Sequence, residues 1–210
     1  LFQSTSEVEK EWEMLTTGSY AEQLQATTAV SPLVKTAWDQ SPYYNALCPY
    51  NSSINERTVT GCVATAMAQI MKYWNYPTQG TGFHSYVHDT YGTLSANFAS
   101  TTYNWSSMPN KVSSSNTAVA TLMYHCGVSV EMMYGTASEG GSGAYTYLDD
   151  YYISQGYIDS RTALKRYFGY TNAAGYSRDD YTLSSWISKL KTELDAGCPI
   201  LYAGSGTGGG

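Results

Sequence analysis

Cys62 is the side chain best placed for chemistry in this sequence. It stands in the run Thr60-Gly61-Cys62-Val63-Ala64-Thr65-Ala66-Met67-Ala68-Gln69-Ile70-Met71-Lys72-Tyr73-Trp74, where an apolar helical stretch begins. A helix N-terminus presents unpaired N–H groups and a partial positive charge. Both favour thiolate over thiol, and the thiolate is the nucleophilic form. The placement suits attack on an acyl carbon. It equally suits a small buried thiol that only packs, because free cysteine is among the most buried residue types. The segment by itself leaves both readings open.

A cysteine nucleophile needs a base that can also act as an acid, a group that orients that base, and an oxyanion hole. In papain-like enzymes the histidine follows the nucleophile by about 130–150 residues. The three histidines, His84, His88 and His125, all come too early. His84 and His88 fall in a polar stretch that reads as solvent-exposed, and His125 adjoins Cys126 on a helix where packing is its ordinary use. Other chemistries find less support. Cys48, Cys62, Cys126 and Cys198 are widely spaced, with no second Cys or His at metal-ligand spacing, so neither a zinc site nor a particular disulfide is indicated. No phosphate-binding glycine motif and no Asp-x-Asp-x-Asp-Gly calcium loop occurs. Gly140-Gly141-Ser142-Gly143-Ala144 comes nearest to a serine nucleophile elbow but lacks its last glycine. Asp149-Asp150 and Asp179-Asp180 are adjacent pairs whose side chains diverge on any regular element, which makes them solvated helix-end or loop residues.

The elements that must position Cys62 can be read from periodicity. The Cys62 helix ends before Pro77, and its apolar residues run nearly all the way round, which places it centrally. The stretch before it, 38–59, is rich in loop residues. A second helix is expected near 116–127, with Val119, Leu122, Met123 and Cys126 on one stripe and Gly127 capping its end. Residues 78–116 suggest short strands without a strong period. Ser129-Val130-Glu131-Met132 reads as a short strand and Ser138–Gly143 as a flexible loop. Helical segments are expected at 144–155, 160–168 and 182–196, with a strand at 198–203. Residues 1–28 differ in character: a short acidic helix near Ser6–Leu15 is followed by a polar Gln/Ala/Thr linker.

Composition narrows the classes. At 210 residues with 42% hydrophobic and 13% charged residues, the chain can build a substantial core and is not disordered by composition. The net charge of −6 argues against nucleic acid and anionic membranes as partners. No run of apolar residues is long enough for a membrane span. Low charge with 21 tyrosines suits a secreted bacterial protein, and equally a carbohydrate- or protein-binding surface.

The sequence around Cys62, with Ala68-Gln69-Ile70-Met71-Lys72-Tyr73 and Asn75-Tyr76-Pro77, resembles the nucleophile region of the streptopain family of secreted bacterial cysteine proteases, including the interpain-type members of Bacteroidetes. Gln40 with Pro42-Tyr43-Tyr44-Asn45 is similar to the family's oxyanion-hole segment. Further similarity lies in Tyr103-Asn104-Trp105, in Gly127–Met132 with Tyr134-Gly135, and in Pro199–Tyr202 leading to Gly209-Gly210, so that it covers about 30–210. The resemblance implies an α+β, papain-like fold, with a helical side carrying the nucleophile helix, a β side and a cleft between them. It implies Cys62 as nucleophile, Gln40 as side-chain oxyanion donor, and Gly140, Ser142, Gly209 and Gly210 as substrate-binding positions. It also implies a zymogen: residues 1–28 would be the end of a pro-segment that inhibits the enzyme, and 29–210 the catalytic domain. Protein or peptide substrates are expected and no cofactor is implied. In the family the catalytic histidine directly follows the glycines that match Gly209-Gly210. The chain 1–210 is therefore expected to stop short of its base and to be inactive alone. The reading from another class is a non-catalytic secreted binding protein that uses its tyrosine- and tryptophan-rich surface.

Overall fold

The structure is a computed structural model that describes residues 30–204. The chain divides into two compact units, Leu1–Ser31 and Pro32–Gly210, and the second is described below. The acidic helix and linker expected in 1–28, and Gly209 and Gly210, lie outside the described residues.

In order, the elements are β1 (Tyr50–Asn51), β2 (Glu56–Arg57), α1 (Cys62–Trp74), β3 (Phe83–His88), β4 (Gly92–Asn97), α2 (Thr117–Ser129), α3 (Asp150–Ser154), α4 (Ser160–Phe168) and α5 (Leu183–Asp195), with short 3₁₀ turns between several of them. β1 pairs antiparallel with β2, and β3 with β4 in the register Phe83↔Asn97 to His88↔Gly92. The mixture of a helical core with small antiparallel ribbons is α+β.

The core forms around α1. Val63, Ala64, Met67, Ala68 and Met71 are buried, and they share one apolar cluster with Val119, Leu122, Met123 and Cys126 of α2. Ala64 and Ala68 are both fully buried, and such small side chains let a facing helix approach closely. The Cys126 thiol meets the Met71 sulfur at 3.7 Å between α1 and α2. Ala163, Leu164, Tyr167 and Phe168 of α4 close the same cluster. Lys72 in the last turn of α1 donates from Nζ to the Trp105 carbonyl at 2.7 Å and to Asn75 Oδ1 at 3.0 Å, tying down the C-terminal end. The other end of α1, which carries Cys62, is left open to solvent.

Several local expectations are corrected. Helix α2 runs past Gly127 to Ser129, so Gly127 is not its cap. A side chain at Gly127 would collide with the Tyr134 hydroxyl, so the glycine serves close packing. The strand expected at 129–132 is the end of α2 and a turn in which Glu131 has φ +51°. Of 144–155 only Asp150–Ser154 is helical. Its earlier backbone groups are taken up by the N-terminus of α4: Ser160 N–H donates to the Tyr145 carbonyl, Ser160 Oγ to the Thr146 carbonyl, and Leu148 N–H to Asp159. Residues 198–203 have no strand partner among the described residues. The loop 138–143 is held by Thr136 and Glu139 in a reciprocal capping box and by an antiparallel bridge between Met133 and Gly143. The helices at 160–168 and 182–196 stand where periodicity places them, as Ser160–Phe168 and Leu183–Asp195.

Candidate active site

Cys62 is the first residue of α1 and is exposed, whereas Cys48 and Cys126 are buried and Cys198 is half-buried. All four thiols are free. Burial pushes the Cys48 thiol up to about 12 and raises that of Cys126 as well, so both stay protonated and inert. The Cys62 backbone N–H belongs to the first helical turn, where no intrahelical acceptor exists. An exposed sulfur beside an N–H that has no acceptor among the described residues is the minimum for thiol attack with an oxyanion donor.

The turn into α1 depends on Gly61. Its φ of +85° with ψ of +143° is backbone that side-chain-bearing residues rarely adopt. A Cβ there would also sit 2.7 Å from Sδ and Cε of the buried Met132. Thr65 locks the turn from inside the helix, donating from Oγ1 to the Gly61 carbonyl at 2.9 Å and meeting Thr60 Oγ1 at 2.8 Å. Further back, Asn45 Nδ2 donates to the Thr58 carbonyl at 2.9 Å. Thr58 and Thr60 are fully buried, so these polar contacts lie out of water.

Gln40 meets this turn at two points. Its Oε1 accepts from Gly61 N–H at 3.0 Å, and its backbone carbonyl accepts from Thr60 N–H at 3.3 Å. Its own N–H is fixed by Asp39 Oδ1 at 2.7 Å. Only the amide oxygen can accept from Gly61, so the side-chain orientation is set and the NH₂ has no acceptor among the described residues. Cys62 and Gln40, 22 positions apart in sequence, are thus brought within one residue of contact.

Gly140 and Ser142, the other expected site residues that lie among the described ones, belong to an adjacent wall. Gly140 and Gly141, with φ of +97° and +87°, make the turn that returns the chain to Gly143. Ser142 is half-buried, and its Oγ lies 2.7 Å from the Val59 carbonyl, 3.0 Å from Gly135 N and 3.1 Å from the Gly135 carbonyl. Gly140 is exposed on the same turn. Two carboxylates brace this wall against the β1–β2 ribbon. Glu56 accepts from Ser138 Oγ at 2.6 Å, and Glu139 accepts from Asn51 Nδ2 at 3.2 Å. Sequence reasoning missed Thr60, Thr65, Met132, Glu56 and Glu139. Of these, only the Thr136-x-x-Glu139 capping pattern carries a local signal.

None of the three histidines bonds the Cys62 sulfur among the described residues. His125, expected to pack, is buried with Nδ1 2.9 Å from the Tyr103 hydroxyl, and burial pushes it down to about 4. His84 and His88, expected to be exposed, are half-buried. His84 Nε2 lies 3.1 Å from Glu131 Oε1, and His88 Nδ1 accepts from Thr90 N–H at 3.1 Å, so both have local structural partners. No group of three or more His, Cys, Asp or Glu side chains that could hold a metal occurs among the described residues. No helix there is long and apolar enough to cross a membrane.

A free, exposed thiol opening a buried helix, with a pinned glutamine beside it, is an arrangement that suits a cysteine nucleophile. Residues 38–210 match the Peptidase C10 family, and the chain belongs to that family of cysteine peptidases, with its α+β, papain-like fold. It is 31% identical to streptopain of Streptococcus pyogenes serotype M28, aligning over 85% of this chain and 48% of that protein. It is 30% identical to the thiol protease/hemagglutinin PrtT of Porphyromonas gingivalis, over 85% of this chain and 21% of that protein. The structure of active interpain A, a cysteine protease of Prevotella intermedia, superposes with TM-score 0.74 at 40% identity, covering 86% of this chain and 72% of that one. A fragment of prointerpain A matches with TM-score 0.69 at 34% identity, over 93% and 65% respectively. The chain thus spans about half the length of the streptopain relatives it matches.

Proposed function

We propose that the protein is a secreted bacterial cysteine endopeptidase made as a zymogen. Cys62 thiolate attacks the carbonyl carbon of a peptide bond, and the carbonyl π electrons move to oxygen. The oxyanion accepts from the Cys62 backbone N–H and from Gln40 Nε2. Both donors are neutral, so they stabilise developing charge without quenching the thiolate. Collapse of the tetrahedral adduct breaks the C–N bond, and the amine leaves with a proton delivered by the general acid. Water, deprotonated by the same group, then attacks the thioester and releases the acid and the thiolate. The acid/base group in this reading is a histidine after the glycine-rich segment 204–210, outside the described residues. Gly140, Ser142, Gly209 and Gly210 would flank the substrate backbone. Residues 1–28 would be the end of an inhibitory pro-segment, and proteins or peptides the substrates.

The hydrogen bond from Gly61 N–H to Gln40 Oε1 supports this reading, because it occupies the amide oxygen, leaves the NH₂ free to donate, and holds the side chain on the residue before Cys62. The test is hydrolysis of an unfolded protein such as casein by the natural full-length protein and its Cys62→Ala variant. Loss of hydrolysis in the variant is expected, and retained hydrolysis overturns the reading. N-terminal sequencing during activation tests the pro-segment: a cut within 20–32 is expected, and activation without one overturns that part.

A further inference from the structure

We propose that the Ser142 hydroxyl is a positioning group for the Cys62–Gln40 site, and that any substrate contact at this position is made by the backbone. The inference rests on the reading of Cys62 as nucleophile.

A hydroxyl offers one proton and two lone pairs. The Ser142 proton is committed to a carbonyl, either that of Val59 at 2.7 Å or that of Gly135 at 3.1 Å. Gly135 N–H donates to the same oxygen at 3.0 Å. No proton remains for a substrate carbonyl, which is the group an extended peptide would present for donation along such a wall.

What the hydroxyl does is visible from its partners. Val59 N–H donates directly to the Gly135 carbonyl at 3.1 Å. In an ordinary antiparallel pair the reciprocal bond would run from Gly135 N–H to the Val59 carbonyl. Here Ser142 Oγ stands between those groups, accepting from Gly135 N–H and donating to the Val59 carbonyl. The serine is thus a spacer inserted into a two-bond rung. It joins the loop that leads into the nucleophile to the wall that folds back beside it, across 83 residues of sequence. Gly135 must be small for this arrangement, because a Cβ there would lie 2.5 Å from the Gly141 carbonyl oxygen.

The rung is mechanically close to the chemistry. Val59 is followed by Thr60, whose N–H holds the Gln40 carbonyl, and by Gly61, whose N–H holds the Gln40 side chain. The Ser142 Cβ also faces Gly61, 3.3 Å from where a Cβ on that residue would sit. A shift of Val59 is therefore passed to the nucleophile and to the oxyanion donor together. Displacements of about 1 Å can cost on the order of 100-fold in rate.

The experiment compares full-length active protein with Ser142→Ala, Ser142→Cys and Ser142→Thr, measuring kcat and KM on a short fluorogenic peptide well below each variant's Tm. Ser142→Ala is expected to lower kcat about 10- to 100-fold with KM within twofold. Ser142→Thr, which keeps the hydroxyl, should recover most of kcat. Ser142→Cys keeps volume with a weak donor and should fall between them; it carries the test should the alanine variant not fold. A rise in KM that exceeds the fall in kcat would assign the hydroxyl to substrate binding and overturn the proposal. So would unchanged kcat in a folded Ala or Cys variant. A Cys62→Ala control separates the two levels. Hydrolysis that survives it refutes the peptidase reading, whereas hydrolysis abolished by it, with Ser142 behaving as a binding group, refutes only the positioning role.

Discussion

Replacing His125 with glutamine is expected to remove a specific part of the protein's acid sensitivity. His125 lies in α2, 8% exposed, with its ring edge-on to Phe98 at 5.4 Å and its Nδ1 on the Tyr103 hydroxyl. Burial disfavours the imidazolium and moves the group from 6.5 down to about 4. Burial raises Tyr103 strongly, so its hydroxyl keeps its proton throughout the acid range. In the unfolded chain His125 takes up a proton near 6.5, while in the native state it does so only near 4. Between those values the unfolded state binds more protons, so this contribution is fully present above about 6.5 and is lost as pH falls through about 4. A gap of this size at about 1.4 kcal/mol per pH unit amounts to about 3 kcal/mol. For a domain of this size that corresponds to roughly 6–12 °C in Tm. The assay is urea unfolding from pH 7.5 to 4. The wild type should lose stability more steeply by up to about 1.4 kcal/mol per pH unit across the window, and His125→Gln should lack that extra slope whatever its absolute stability. Parallel curves, or an NMR titration placing His125 near 6.5 in the folded protein, would refute the reasoning.

Three further outcomes are expected. Gln40→Ala should lower kcat on peptide substrates by roughly 10²–10³ with little change in KM, the usual cost of losing one oxyanion donor, as steady-state kinetics would show. Gly61→Ala should cost about 2 kcal/mol of stability in denaturant titration, because alanine is strained at φ +85° and its methyl must displace Met132. One equivalent of iodoacetamide should label Cys62 before Cys198, and leave buried Cys48 and Cys126 unmodified while the protein is folded, as peptide mapping would show.

The parts legible in the sequence are those whose signals are local. Helix α1 announces itself by its long apolar run between Gly61 and Pro77, the Ser160–Phe168 and Leu183–Asp195 helices by periodicity, and Asn116, Asp159 and Thr182 each cap a helix with a side-chain oxygen. The β3–β4 ribbon was obscured because its alternation is inverted. Phe83 and Val87 face solvent while His84, Tyr86 and His88 are half-buried, with Tyr86 donating to the Met132 carbonyl at 2.7 Å. The loop 138–143 reads as flexible because its glycines are visible and its anchors, Val59 and Glu56, are remote in sequence. Gln40 looks like a polar turn residue until its bond to Gly61 N–H is seen, and only similarity to the family had singled it out. Ser142 was legible only as a position that the family resemblance expects beside the substrate. The bridging of Val59 and Gly135 by its hydroxyl was not, since nothing local encodes it.

The most direct test of the central claim is acid-quench mass spectrometry of the natural full-length protein during turnover of an activated ester or peptide. An acyl group is expected as a thioester on the peptide containing Cys62, accumulating under conditions where deacylation is slow and absent in Cys62→Ala. Continued hydrolysis with the acyl group on another residue, or with Cys62 alkylated beforehand, would contradict it.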